Sequence, residues 1–152
     1  MQIAAIFRQT AEQELQHARQ FFSMLEGGMV EITASYPAGV VGDTATNLAE
    51  AAAGEHEEWG VLYEDFAKVA QDEGFPQIAN AYKLIAKVEQ MHEQRYLKLL
   101  EHLKSGMTFE DEQPVEWMCI NCGFTIMAKA APKRCPVCGV DQGWFERKAS
   151  NY

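Results

Sequence analysis

The chain has 152 residues, 47% of them hydrophobic and 23% charged, which suits one ordinary globular domain with a small module attached and excludes a disordered chain. A net charge of -9 argues against a phosphate-binding surface, so no nucleic-acid partner is expected. No apolar run approaches the roughly 18 residues of a membrane span, and the opening MQIAAIFRQTAEQE lacks the parts of a secretory signal, so no membrane is expected and the protein is placed in the cytoplasm.

The first expected helix runs from about Gln2 to Glu26 and stops at Gly27-Gly28, where residues free to take positive φ end helices. MVEITASYPAGVVGD follows without helical period and reads as an irregular connection. Asp43 or Thr44 caps a second helix to about Glu73. Gly74-Phe75-Pro76 makes a corner with proline in the first turn of a third helix, which ends near Lys104. A short corner joins antiparallel neighbours and a long connection allows a crossover, which is the connectivity of ferritin-like bundles. SGMTFEDEQPV, residues 105–115, reads as a polar linker, and residues 116–152 are short apolar pieces separated by Gly, Pro and four cysteines.

Each helix carries one inward stripe, and each stripe has the same anomaly. The first is Ile3, Phe7, Thr10, Glu14, His17, Phe21, Met24. The second is Leu48, Ala52, Glu55, Glu58, Leu62, Phe66, Val69, and the third is Ile78, Tyr82, Ile85, Glu89, His92, Tyr96, Leu99, Leu103. Burying an isolated carboxylate costs several kcal/mol unless it is paired or neutralised. One such pair usually means an exposed stretch of helix, but three at the same level of a bundle are hard to assign to solvated faces. Four carboxylates and two imidazoles supply oxygen and nitrogen donors and about four negative charges, which suits two irons. Glu12, Glu57, Glu64, Glu93 and Glu101 lie off the stripes and are expected to be solvated, and His56 and His102, also off them, are expected to have no chemical role.

The cysteines fall as Cys119-x-x-Cys122 and Cys135-x-x-Cys138, a spacing that favours a reduced tetrathiolate metal site over disulfides. Gly123 and Gly139 follow the second cysteine of each pair and permit a tight knuckle, while Trp117, Phe124, Trp144 and Phe145 can cover the site. Zinc and iron suit four thiolates equally. On its own the module would read as a structural zinc ribbon; tethered to a diiron bundle it makes better sense as a one-electron iron centre, with zinc as a substitute.

Together these features resemble the rubrerythrin family over practically the whole chain. The resemblance rests on Glu14/His17, Glu89/His92, the Glu-x-x-Glu of AAAGEHEEW, the crossover VEITASYPAGVVGD, and CINCGF with CPVCG. It implies a mainly α fold: a ferritin-like bundle over residues 1–104, a linker over 105–115, and a rubredoxin-like domain over 116–152. It also implies a helix preceding the three seen here, with one more glutamate ligand, since Met1 aligns near the start of the family's second helix.

The implied activity is that of a non-haem diiron peroxidase reducing hydrogen peroxide to water. Electrons would come from an NAD(P)H-dependent reductase, often through rubredoxin, to the Fe(Cys)4 site and on to the diiron site. Carried over by position, Glu14 and Glu89 become bridging carboxylates, His92 and Glu55 ligands of one iron, and Glu58 and His17 alternative ligands of the other, with Tyr63 beside it. The family's head-to-tail subunit pairing implies a homodimer, with helices exchanged through the crossover as one form of it. The alternative reading is an iron oxidase or storage protein that uses dioxygen, and a third is a non-catalytic zinc-ribbon interaction module. No G-x-G-x-x-G fingerprint is present, so a separate reductase is expected to bind the nicotinamide.

Overall fold

The structure, a computed structural model, describes residues 1–150; the last two residues of the expected C-terminal module, 151–152, lie outside them. Three long helical segments are followed by a small sheet: α1 (Gln2–Ser23), α2 (Thr44–Glu57) continuing through a π-helical segment (Glu58–Leu62) into α3 (Tyr63–Asp72), and α4 (Pro76–Lys104). The sheet has β1 (Glu110–Cys119), β2 (Thr125–Ala130) and β3 (Phe145–Arg147), in the antiparallel order β2-β1-β3. Thr10–Glu101 form one compact unit, and Met1–Gln9 with the chain from His102 onward form another. Among the described residues, no helix is long and apolar enough to cross a membrane.

Local chemistry sets the helix ends. Asp43 accepts a hydrogen bond from the Thr46 N–H at 2.8 Å, the N-cap expected for α2, and Asn47 clasps Gly42 from both sides of its amide. Gly27 and Gly28 both have positive φ just beyond α1, which ends at Ser23 rather than Glu26. The crossover has no regular structure and is exposed along residues 29–42.

The second helix differs from expectation in one consequential way. Its middle turn is π-helical, with the Tyr63 N–H bonded to the Glu58 carbonyl five residues back. A π turn inserts one extra residue, so every side chain beyond it moves one position around the helix. The expected stripe holds at Leu48, Ala52 and Glu55, which are buried. Beyond the π turn, Phe66 and Val69 are 43% and 52% exposed, whereas the next residues along, Ala67 and Ala70, are buried. Leu62 and Tyr63 are both half-buried, and Tyr63 packs against Phe21 and Tyr82. In α4 the middle of the stripe holds, with Ile85, Glu89, His92 and Tyr96 all buried, while Ile78, Tyr82, Leu99 and Leu103 at its ends are half-buried and Ala79, Ala81 and Leu100 beside them are buried.

β1 begins at Glu110, inside the stretch expected to be linker. Pro114 has no N–H to give a ladder, and the pairing with β2 slips between Glu110 and Val115, at the place where a proline is tolerated in a strand. Trp117, Cys119, Ala131, Cys135 and Phe145 make the core of this part, with Phe124, Val140 and Trp144 packed against it. So small a core leaves much of the stability to a metal.

Candidate metal centres

The sulfurs of the C-terminal region converge. Cys119 Sγ lies 3.8 Å from Cys138 Sγ, and Cys122 Sγ lies 3.7 Å from Cys135 Sγ. Four sulfurs around one ion at about 2.3 Å stand about 3.8 Å apart, so the spacing fits a tetrahedral thiolate site. Two equivalent knuckles build it: the Gly123 N–H bonds to the Cys119 carbonyl and the Gly139 N–H to the Cys135 carbonyl, with φ of 79° and 76° at the glycines. Only glycine takes that φ without strain. Cys119 and Cys135 are buried in the aromatic core, and Cys122 and Cys138 are exposed. The Val140 N–H holds the Cys138 thiol down to about 6, favouring the thiolate that a metal requires.

In the bundle, α1 delivers Glu14 and His17, the second helix Glu55 and Glu58, and α4 Glu89 and His92. Ligand atoms of Glu14, Glu55, Glu89 and His92 all lie within 4.8 Å of one another. Glu89 and His92 are fully buried, Glu55 nearly so, and Glu14 keeps 37% of its side chain exposed. Glu14 places Oε2 2.9 Å from His17 Nδ1 and Oε1 3.1 Å from His92 Nδ1. Glu89 does the same from the other side, with Oε1 2.9 Å from His17 Nδ1 and Oε2 3.0 Å from His92 Nδ1. Glu55 Oε1 lies 3.6 Å from His92 Nδ1. The two imidazoles are stacked with centroids 6.2 Å apart.

Glu58 adjoins this group as the acceptor of a 3.3 Å hydrogen bond from the Tyr63 hydroxyl. Burial and the charges of Glu89, Glu55 and Glu14 push Glu58 up to about 7, and burial beside Glu58 raises Tyr63 well above the usual phenol range. Burial alone lowers His92, yet its contacts with Glu14, Glu55 and Glu89 push it up to about 11. Phe21 and Tyr82 pack around Tyr63, with ring centroids 5.8 and 5.6 Å from it.

The donor set fits metal ions. Glu14 Oε1, both oxygens of Glu89 and His92 Nδ1 are buried and make close approaches without the alignment of a hydrogen bond. Each such orphan would cost about 1–3 kcal/mol. A cation among them satisfies all four at once, and four carboxylates balance two divalent ions. Nitrogen and oxygen donors suit iron in the bundle, and the thiolates suit one further iron or zinc.

Two groupings were not expected. Gln13 Oε1 accepts a 3.0 Å hydrogen bond from the Nε2 side of His92; it sits next to Glu14, off the stripe, where periodicity carries no signal. Glu93, expected to be solvated, keeps only 15% of its side chain exposed. It accepts from Trp59 Nε1 at 2.7 Å and meets His56 Nδ1 at 3.0 Å.

A helical bundle whose core holds carboxylates and histidines from three helices, followed by a tetrathiolate ribbon, defines a ferritin-like diiron protein with a rubredoxin-like domain. Residues 1–112 match the family described as rubrerythrin, and residues 117–146 match the rubredoxin-like domain of rubrerythrin. The chain belongs to the rubrerythrin family. It is 56% identical over 151 residues to a rubrerythrin of Porphyromonas gingivalis, covering 99% of this chain and 76% of that one. It is 42% identical over 152 residues to a rubrerythrin of Nitratidesulfovibrio vulgaris, covering all of this chain and 80% of the relative. Among solved structures, nigerythrin in its partially reduced state is similar with a TM-score of 0.60 at 25% identity, over 97% of this chain and 70% of that one. Its fully reduced, all-ferrous state also gives 0.60 at 25% identity, over 97% and 71%. Membership makes the chain an oxidoreductase of the diiron and rubredoxin-like type.

Proposed function

We propose that this protein reduces hydrogen peroxide to water, taking two electrons and two protons per molecule, with electrons delivered to the Cys119, Cys122, Cys135 and Cys138 site and passed to the bundle. The observation that carries the reading is the symmetry of Glu14 and Glu89, each turning one oxygen toward His17 and the other toward His92. That is the arrangement two metals need if both carboxylates bridge them. His92 and Glu55 then serve one ion, and His17 and Glu58 the other.

Two irons, when bound, supply the two electrons that cleave the O–O bond. Everything else falls to the chain. Leu48, Ala52, Ile85 and Tyr96 are buried around the ligands and keep bulk water away. The half-exposed Glu14 marks the side from which a small substrate reaches the site. Tyr63 holds the Glu58 carboxylate by its hydroxyl and is itself held by Phe21 and Tyr82.

A tethered one-electron thiolate site is useful to a peroxidase and idle in an iron store, which favours this reading over an iron oxidase using dioxygen. The donor is a rubredoxin or an NAD(P)H-dependent reductase, and the setting is the cytoplasm. The protein works as a homodimer. In support, the crossover exposes Met29, Val30, Ile32, Tyr36, Val40 and Val41, an apolar segment suited to cover by, or exchange with, a second copy. Metal analysis of protein purified from its native host, with a visible spectrum and sedimentation, tests the assignment. Three irons per chain in a red dimer are expected; zinc in the thiolate site of native protein, or a monomer, would count against it.

A further inference from the structure

Every metal-site histidine must choose which ring nitrogen carries its proton, and the choice is made by whatever touches the nitrogen away from the metal. For His92 that partner is visible. Its Nδ1 faces Oε1 of Glu14, Oε1 of Glu55 and Oε2 of Glu89, at 3.1, 3.6 and 3.0 Å. Its Nε2 faces Oε1 of Gln13 at 3.0 Å. An amide oxygen only accepts, so this contact requires a proton on Nε2 and makes Nδ1, which faces the three carboxylates, the nitrogen that gives up its proton when a metal binds.

We infer that Gln13 is a positioning residue for the bundle's metal site, fixing His92 as the Nε2–H tautomer so that Nδ1 is presented as a ligand. The inference rests on the reading of Glu14, Glu55, Glu89 and His92 as metal ligands, and adds a residue outside that set. α1 thus acts twice in consecutive residues, with Glu14 on the carboxylate side of His92 and Gln13 behind it. His92 has no freedom to turn, because its side chain is fully buried and Nε2 is held by Gln13.

The opposite orientation of the amide has a distinct consequence. If the Gln13 NH2 donated to Nε2, the proton would sit on Nδ1, and His92 would face the carboxylates as a hydrogen-bond donor rather than as a ligand. Glu in place of Gln accepts but cannot donate, so it separates the two cases, and Met removes both abilities at similar length.

The test uses the full chain with its thiolate site already filled. Fe(II) affinity of the bundle is measured anaerobically by chelator competition in the wild type, Gln13→Met, Gln13→Glu and Gln16→Glu. Gln16 is exposed on the same helix, so its variant adds the same charge away from His92. The His92 Nε2 proton is followed by NMR in the zinc-loaded protein. Gln13→Met should weaken Fe(II) binding about 10–100-fold, and the His92 Nε2 proton should exchange faster. Gln13→Glu should bind Fe(II) at least as tightly as wild type, with that proton moved downfield, whereas Gln16→Glu leaves the proton unmoved. Wild-type affinity and an unchanged Nε2 proton in Gln13→Met would overturn the inference while leaving the metal reading intact. Should Gln13→Met fail to fold, Gln13→Glu decides: weakened binding, or a proton no different from that in Gln16→Glu, overturns it. A wild-type bundle that takes up no Fe(II) would remove both readings together.

Discussion

Glu14 and Glu89 approach the same two imidazoles from different helices, each giving one carboxylate oxygen to His17 and the other to His92 at 2.9–3.1 Å. Neither carboxylate belongs to one histidine. Removing Glu89 or His92 should therefore empty the bundle of iron while leaving the separate thiolate site untouched. Glu89→Ala and His92→Ala are each expected to lose peroxide turnover to background and the two bundle irons, yet to stay red. The check is iron counting beside the visible spectrum; retained turnover in either variant would mean the site lies elsewhere.

The π turn makes a second expectation. Deleting Gly60 should convert Glu58–Leu62 to ordinary α-helix and, because it removes the one extra residue, should leave Ala67 and Ala70 on the inner face while the Glu58–Tyr63 spacing falls from five residues to four. The bundle should keep its packing but hold metal more weakly. Gly60→Ala keeps the residue count, and its new methyl would meet only the His56 ring at 3.7 Å. It should be tolerated and should stabilise by up to about 1 kcal/mol. Iron content and thermal melting of the two variants check the contrast.

Acid should loosen the start of α2 through Asp43. The Thr46 backbone N–H and side chain hold its carboxyl below the usual value of 3.8. A depressed acid contributes stability that is fully present above 3.8 and is lost as pH falls through the lower folded value. Asp43→Asn keeps a capping oxygen and should flatten that acid limb without much cost at pH 7, whereas Asp43→Ala should lower stability at pH 7 as well. Denaturation curves from pH 2 to 7, a range set by these carboxyl values, read the difference.

The thiolate region should depend on its metal for order. Cys135→Ser removes a buried ligand from a core made of Trp117, Cys119, Ala131, Cys135 and Phe145. The red colour should vanish, and protease should cut rapidly between β2 and β3. Zinc in the intact site should restore protease resistance but not colour, and electrons from a reductase should no longer reach the bundle.

How far the sequence could be read depended on what each feature rests on. α4 was legible because its apolar residues keep one helical period from Ile85 through Tyr96, and the two ionisable members of that stripe are fully buried as expected. The knuckles were legible because glycine at positive φ is a local requirement that shows in the residue type. The lower half of the second helix was not, because a π turn leaves no compositional mark: Glu58-Trp59-Gly60-Val61-Leu62 is compatible with α-helix, and extrapolating its period put Phe66 and Val69 inside in place of Ala67 and Ala70. Gln13 and the Trp59–Glu93–His56 contacts were invisible for a different reason. They are hydrogen bonds between helices, set by side-chain length and direction rather than by periodicity.

The chemistry is tested most directly by mixing fully reduced, metal-loaded protein in one stopped-flow experiment with a single equivalent of hydrogen peroxide and, separately, with air-saturated buffer. Reoxidation of both iron sites should be far faster with peroxide than with air, with the red colour returning as electrons drain from the cysteine site through the bundle. Faster reoxidation in air, or oxidation of added Fe(II) with iron accumulating beyond three per chain, would contradict peroxide reduction and favour a dioxygen-using iron oxidase.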